Sequence, residues 1–253
     1  MKTRTTLEAA KRAAAYTAGE REIFSGCRLG VGSGSTAKYL IEFLAERIKN
    51  GLLSDIICVP SSFQTNTLLV NAGIHVSSLE QTPVLDLCID GADEVDDSLN
   101  CIKDIIYMNE IEGGGGCLTR EKIVQSCAKR FYIIADSRKD SKVLGEKYPT
   151  IPIEVIPFGH VPIAQWIKRE EGGEPVLRMS SKKCGPVITD NHNYILDWHF
   201  PKGKYLNTSD WAALHHRLIN FPGIVETGLF IGVAEKAYFA SLNGTVNVKD
   251  RHV

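Results

Sequence analysis

The sequence predicts an α/β protein: a mostly parallel sheet covered by helices, with a smaller α+β region inserted late in the chain. Three observations carry this. Short apolar runs alternate with segments of helical spacing, glycine or polar turns follow the apolar runs, and the composition changes after about Lys147.

The elements follow in order. Leu7 to Tyr16 is alanine-rich with Lys11 and Arg12, which predicts a helix. Arg28 to Val31 is a short strand, and Gly32-Ser33-Gly34-Ser35-Thr36 turns the chain. Ala37 to Ile48 places Leu40, Ile41, Phe43, Leu44 and Ile48 at helical spacing. Ile56 to Val59 is the next strand. Ser62 caps a helix to about Val70, Asn71-Ala72-Gly73 ends it, and Ile74-His75-Val76 starts another strand. Val84 to Ile89 is a strand that stops at Asp90. A helix opens near Thr119 and runs through Ala128, and Phe131 to Ala135 is a strand ending at Asp136.

Beyond Lys147, Ile151 to Pro157 alternates and carries prolines, unlike a central parallel strand. Val187 to Leu196 has the pattern of two short strands around a polar turn. Trp211 to Ile219 is a helix. Gly228 to Ile231 and Ala237 to Phe239 are strands expected to rejoin the first sheet. The expected division is residues 1–147 plus 227–253 as the parallel-sheet domain and 148–226 as the small α+β domain.

At 253 residues, the chain can bury a core without staples. Lys+Arg 29 against Asp+Glu 30 leaves a formal charge of −1, so no cationic excess points to a nucleic-acid partner. Seven cysteines, odd in number and without a CxxC pair, argue against a disulfide framework or structural zinc and suit a reducing compartment. Met1-Lys2-Thr3-Arg4 lacks a signal-peptide run. Ile56 to Leu79 carries no charge, but Pro60-Ser61-Ser62 and Asn71-Ala72-Gly73 break it, so no membrane span is expected.

Four clusters could carry chemistry. Gly30 to Thr36 is neither a dinucleotide fingerprint nor a P-loop. It still sets small residues and two hydroxyls at a helix start, where backbone N–H groups and the helix dipole suit a phosphate. The alternative is a capped tight turn. Asp90-Gly91-Ala92-Asp93 brings a carboxylate to the end of an apolar strand with room for a ligand; the alternative is a solvated acidic turn, and a metal site is the weaker third choice. Gly113-Gly114-Gly115-Gly116 precedes Glu121, a carboxylate in a helix's first turns that could act as a general base, or simply favour the dipole. Asp136-Ser137-Arg138-Lys139 offers a lysine after a strand. All four are expected just past strands of one sheet. His199 and His215-His216 read as surface or packing residues, and Trp166, Trp198 and Trp211 as packing in the small domain.

Taken together, GVGSGSTA (Gly30–Ala37), SSFQT (Ser61–Thr65), DGADEVD (Asp90–Asp96), GGGGCLTREKIV (Gly113–Val124), IADSRK (Ile134–Lys139), PIEVIP (Pro152–Pro157), VITDNHN (Val187–Asn193) and GIVETGLF (Gly223–Phe230) resemble the ribose-5-phosphate isomerases of the A type over nearly the whole chain. The resemblance implies a Rossmann-like domain with an inserted α+β domain and aldose–ketose isomerisation through a cis-enediolate. It implies no metal or cofactor, a small sugar-phosphate partner, a homodimer or homotetramer, and a cytoplasmic enzyme of the pentose phosphate pathway. By motif, Glu121 resembles the base. Ser33, Gly34, Ser35 and Thr36 resemble the phosphate loop. Asp90 and Asp93, with Gly91 and Ala92 between them, resemble the residues that contact sugar hydroxyls. Lys139 resembles a substrate-binding lysine, and Lys11 is a weaker candidate for the phosphate. Gly113, Gly114 and Gly115 belong to the substrate loop.

One departure stands out. In the family a lysine directly precedes the glycine run, whereas here Lys103 is separated from Gly113 by the nine residues 104–112. Anchoring from the left makes Lys103 the lysine that would stabilise an oxyanion; anchoring from the right puts Glu112 there, which would repel a phosphate ester. The expectation is that the insertion leaves Lys103 in its role; the alternative is a weak or inactive sugar-phosphate-binding relative.

Overall fold

The computed structural model describes residues 2–106, 114–181 and 183–251, with side chains from residue 7 onward. In chain order its elements are α1 (Lys2–Glu22), β1 (Arg28–Val31), α2 (Gly34–Lys49), β2 (Ile57–Pro60), α3 (Phe63–Asn71), β3 (Leu87–Asp90), β4 (Glu94–Val95), β5 (Cys101–Ile102), α4 (Leu118–Ser126) and β6 (Phe131–Asp136). Then come β7 (Thr150–Val155), α5 (His160–Glu170), β8 (Glu174–Leu177), β9 (Tyr194–His199), α6 (Thr208–Ile219), β10 (Ile224–Thr227), β11 (Leu229–Phe230), β12 (Lys236–Ala240) and β13 (Val246–Asp250). No helix among the described residues is long and apolar enough to cross a membrane.

The chain forms two compact units. The first holds residues 1–92, 120–140 and 233–253, and the second 93–119 and 141–232. In the first, a six-stranded sheet has the order β13-β12-β6-β3-β1-β2. Every pairing is parallel except that of β12 with the edge strand β13. The inner strands β3 and β6 are buried along their whole length, which is why they read as unbroken apolar runs. Ala10, Ala14 and Ala18 recur every four residues on α1 and lie fully buried in one core with Leu29, Leu40, Phe43 and Tyr132. Gly19 lets α1 approach α2, because a Cβ there would stand 2.6 Å from the Phe43 ring.

The second unit is antiparallel. A four-stranded sheet runs β10-β7-β9-β8, and a three-stranded sheet runs β11-β5-β4. Ile151, Ile153 and Val155 of β7 are buried with Ile163 and Ile167 of α5 and with Trp211, Leu214 and Leu218 of α6. Trp198 is fully buried, and its indole N–H donates to the Gly172 carbonyl at 2.8 Å.

Four local expectations change. Ile74–Val76 is not a strand; only an isolated bridge joins Val76 to Cys58. Val187–Leu196 is not a hairpin, because the strand begins at Tyr194 and the preceding residues form a polar turn whose side chains serve a buried carboxylate, described below. Leu229–Phe230 does not rejoin the first sheet but pairs with β5, since Gly228 allows the Lys103 carbonyl within 2.6 Å of where a Cβ would lie. The glycine run follows β5 of the three-stranded sheet, so the four clusters do not all follow strands of one sheet.

Candidate active site

In the first unit, the C-terminal ends of parallel strands present the expected residues. β1 ends at Val31, and the Gly32 N–H donates to the Ile89 carbonyl of β3 at 3.0 Å. This brings the turn against Asp90. Asp90 Oδ1 accepts from the Ser33 N–H at 3.0 Å and from the Gly91 N–H at 2.7 Å. Gly32 is obligatory here, because a Cβ on it would stand 1.8 Å from Asp90 Oδ1 and 1.9 Å from its Cγ. The carboxylate is 1% exposed. It fixes the turn, and the turn fixes its direction, through charge-assisted bonds.

The turn is also held from behind. Thr65 Oγ1 donates to the Gly32 carbonyl at 2.7 Å, and the Ser33 and Ser61 hydroxyls lie 2.9 Å apart. Ser62 caps α3 by accepting from the Thr65 N–H, as its sequence position predicts. Ser33 stands at the N-cap of α2 with extended backbone but makes no side-chain capping bond. The first-turn amides of α2, including those of Ser35 and Thr36, therefore have no capping acceptor from Ser33, and the dipole's positive end is offered to an anion. Gly34 takes a left-handed φ of 87° with open space around it. Ser61 and Thr65 carry no assigned role at the sequence level; their signal is a hydroxyl-rich run just past the neighbouring parallel strand.

Glu121 is 3% exposed in the first turn of α4, and Lys139 is 9% exposed at the end of a short 3-10 turn over Ser137–Lys139. Asp136 caps that turn by accepting from the Arg138 N–H at 3.1 Å. Lys11 is buried on α1 and is bonded to Glu8 at 2.9 Å, where burial opposes but Tyr39 and Lys11 still hold the Glu8 carboxyl below its ordinary pKa.

The second unit carries Asp93, Lys103, Gly114 and Gly115. The Asp93 N–H donates to the Ile102 carbonyl, and its Oδ2 accepts from the Ile105 N–H, both at 2.9 Å. Lys103 is 3% exposed, with Nζ 5.0 Å from the Phe230 ring centroid. Gly113 and Glu112 lie outside the described residues. The other acids of the run have structural work. Glu94 is fully buried and accepts from Ser141 Oγ and from the Gly145 and Lys147 amides. Asp96 accepts from Ser98 and from both nitrogens of Asn100. Burial pushes its carboxyl up despite those bonds. Among the described residues no group of three or more His, Cys, Asp or Glu is placed to hold a metal ion.

Glu154, with no assigned role at the sequence level, is fully buried on β7. It accepts from Thr119 Oγ1 (2.5 Å), Thr189 Oγ1 (2.8 Å), Asn191 Nδ2 (3.1 Å) and Asn193 Nδ2 (2.9 Å). Thr119 lies in the first turn of the helix that carries Glu121, so the PIEVIP and VITDNHN runs together brace the start of α4.

A sequence profile of the family described as Ribose 5-phosphate isomerase A (phosphoriboisomerase A) matches residues 57–244. A Caenorhabditis elegans protein named Probable-ribose 5-phosphate isomerase is 54% identical over 240 residues, covering 95% of this chain and 91% of its own. The Homo sapiens Ribose-5-phosphate isomerase is 44% identical over 245 residues, 96% of this chain and 74% of its own. Among solved structures, a D-ribose-5-phosphate isomerase in complex with phospho-erythronic acid superposes with a TM-score of 0.87 at 36% identity, covering 97% of this chain and 99% of that one. A Plasmodium falciparum ribose 5-phosphate isomerase gives 0.86 at 29% identity, covering 97% and 100%.

Proposed function

The chain belongs to the ribose 5-phosphate isomerase A family, and from that membership we propose that it interconverts ribose 5-phosphate and ribulose 5-phosphate through a cis-enediolate. The observation that carries this is the family match over 57–244, which spans Asp90, Asp93, Lys103 and Glu121 together. The comparisons give no support to a weak or inactive relative.

The roles carry over residue by residue. The first-turn amides of α2, with Ser33, Gly34, Ser35 and Thr36, take the 5-phosphate. Lys139 adds a cation for the substrate. Asp90 and Asp93 contact sugar hydroxyls and assist ring opening, with Gly91 and Ala92 leaving room for the sugar. Glu121 then takes the proton from C2 of the open-chain aldose. The C–H electron pair becomes the C1–C2 double bond, and the carbonyl pair moves onto O1. Lys103 stabilises that oxyanion. The proton on O2 passes to O1, and Glu121 returns its proton to C1, giving the ketose. Every electron pair stays within the sugar, so the reaction as written needs no metal or cofactor. Gly113, Gly114 and Gly115 let backbone approach the substrate.

A buried carboxylate suits the base, because water is excluded from the transferred proton. The chain is also proposed to act in the cytoplasm as a homodimer or homotetramer; light scattering on the purified protein checks the latter. The function is tested with ribose 5-phosphate deuterated at C2. Loss or relocation of label with ribulose 5-phosphate formation is expected, and folded protein that leaves both substrate and label unchanged would refute the assignment.

A further inference from the structure

Arg178 follows β8 with its side chain fully buried. Its backbone is fixed on β9, its N–H donating to the Ile195 carbonyl at 2.8 Å. Nε and Nη2 donate to the two oxygens of Asp197 at 2.9 and 2.5 Å. The rest of the guanidinium does something else. Nη2 donates to the Asp104 carbonyl at 2.7 Å, and Nη1 donates to the Gly114 carbonyl at 3.0 Å. One carbonyl belongs to the first residue of the 104–112 insertion and the other to the second glycine of the run.

The same two ends meet in two further ways. Asp104 Oδ1 accepts from the Gly116 N–H at 3.1 Å. A Cβ on Gly114 would stand 2.6 Å from Ile106 Cγ1 and 3.5 Å from Ile106 Cα, so Gly114, at φ 67°, is a glycine because Ile106 is packed against it. The chain thus leaves at Asp104 and Ile106 and returns at Gly114 already beside them.

We propose that Arg178, held by Asp197, is a positioning residue that fastens the two ends of the 105–113 segment, keeping Lys103 next to the glycine run as though the segment were absent. The inference rests on the isomerase reading and on Lys103 as its cation. A planar fork with donors on two edges suits the task, and an ammonium could not reproduce it. Burying a guanidinium is costly unless its donors are satisfied, and one carboxylate alone would leave Nη1 unmatched. With the two carbonyls, each of the three guanidinium nitrogens donates a hydrogen bond. Sequence alone could not reveal this, since Arg178 and Asp104 are 74 positions apart.

The test compares Arg178→Lys in the full chain and in a chain lacking residues 104–112, where Lys103 covalently precedes Gly113. A misplacement on the order of 1 Å costs roughly 100-fold in rate, so kcat in the full chain should fall about 30- to 100-fold while KM moves less than about 3-fold. In the shortened chain the same substitution should cost no more than about 3-fold in kcat. Equal losses in both backgrounds overturn the proposal. If the shortened chain does not fold, Arg178→Lys is combined with Asp104→Ala in the full chain. The double variant should lose little more than the worse single one, since both act at one junction, whereas losses that multiply overturn it. Amide exchange separates this from the isomerase reading. The Gly116 N–H should exchange at least ~10-fold faster in Arg178→Lys, with Ile153 of β7 unchanged. Unchanged protection at Gly116 refutes the fastening even if the chain is an active isomerase. Faster exchange in a chain without activity supports the fastening while the isomerase reading fails.

Discussion

Gly32→Ala adds one methyl group where the structure has no space for it. The new Cβ would lie 1.8 Å from Asp90 Oδ1, 1.9 Å from Cγ and 2.5 Å from Cβ of the same residue. Gly32 does not have a positive φ, so alanine fits the backbone and the effect is steric alone. The carboxylate would have to withdraw by roughly 1.5 Å to reach ordinary contact, which breaks its bonds to Ser33 N–H and Gly91 N–H. Hydrogen bonds to a charged group contribute about 1.5–3 kcal/mol each, so losing two costs about 3–6 kcal/mol before relaxation. Overpacked sites recover part of this and typically end about 1–3 kcal/mol destabilised. For a chain of this length each kcal/mol lowers Tm by about 2–4 °C, so a fall of roughly 2–12 °C is expected. The activity should suffer more than the stability, because Asp90 and the phosphate loop move together: kcat/KM for ribose 5-phosphate should drop at least ~100-fold, or roughly 3 kcal/mol. Thermal unfolding and initial-rate kinetics on the purified variant are the assays. A variant within twofold of the parent kcat/KM, with Tm unchanged, would refute the claim that Asp90 and the Gly32 turn are one mechanical unit.

Glu121→Gln should lower kcat by at least ~10³-fold while ribose 5-phosphate still raises Tm, because the amide keeps the shape but cannot accept the carbon-bound proton; surviving turnover would remove Glu121 from the base role. Glu154→Gln puts an NH2 donor where four donors converge, and should cost about 2–4 kcal/mol, read by urea denaturation. Its kcat should fall as well, since Thr119 lies in the first turn of the helix that carries Glu121. Glu171 is buried, which opposes ionisation, but Arg217, Lys204 and Tyr205 draw its pKa down to about 2 from 4.5. A depressed folded-state value stabilises the protein above pH 4.5, and that contribution is lost as pH falls towards 2. Glu171→Gln should therefore cost up to about 3 kcal/mol at pH 7 and progressively less below pH 4.5 in pH-dependent unfolding.

Much of the fold was legible in the chain. The runs Arg28–Val31, Leu87–Asp90 and Phe131–Asp136 are inner strands of a parallel sheet, buried on both faces, and such strands announce themselves as unbroken apolar runs. The antiparallel region was harder. Leu229–Phe230 and Cys101–Ile102 are two residues each, too short for any periodicity, and only their mutual pairing makes them strands. The polar run Thr189–Asn193 reads as a hairpin turn locally, yet its side chains are spent on Glu154. Of the acidic cluster, sequence could not separate Asp90 from Glu94 and Asp96, since all are carboxylates within one short stretch. Their partners, Ser33 in one case and Ser141 or Asn100 in the others, distinguish them.

By itself the order of residues determined the alternating α/β plan, the glycine turn at a helix start, and Glu121 in the first turn of the helix after the glycine run. These depend on spacing, local backbone preference and neighbours a few positions away, all of which are written in linear order. Folding in three dimensions decided that Asp90 serves as the brace of the Gly32 turn, that Glu154 is a buried hub, and that Asp104 and Gly114 share one guanidinium. Each of these is a bond between groups tens of residues apart, and such a bond exists only once burial has removed water as the competing partner.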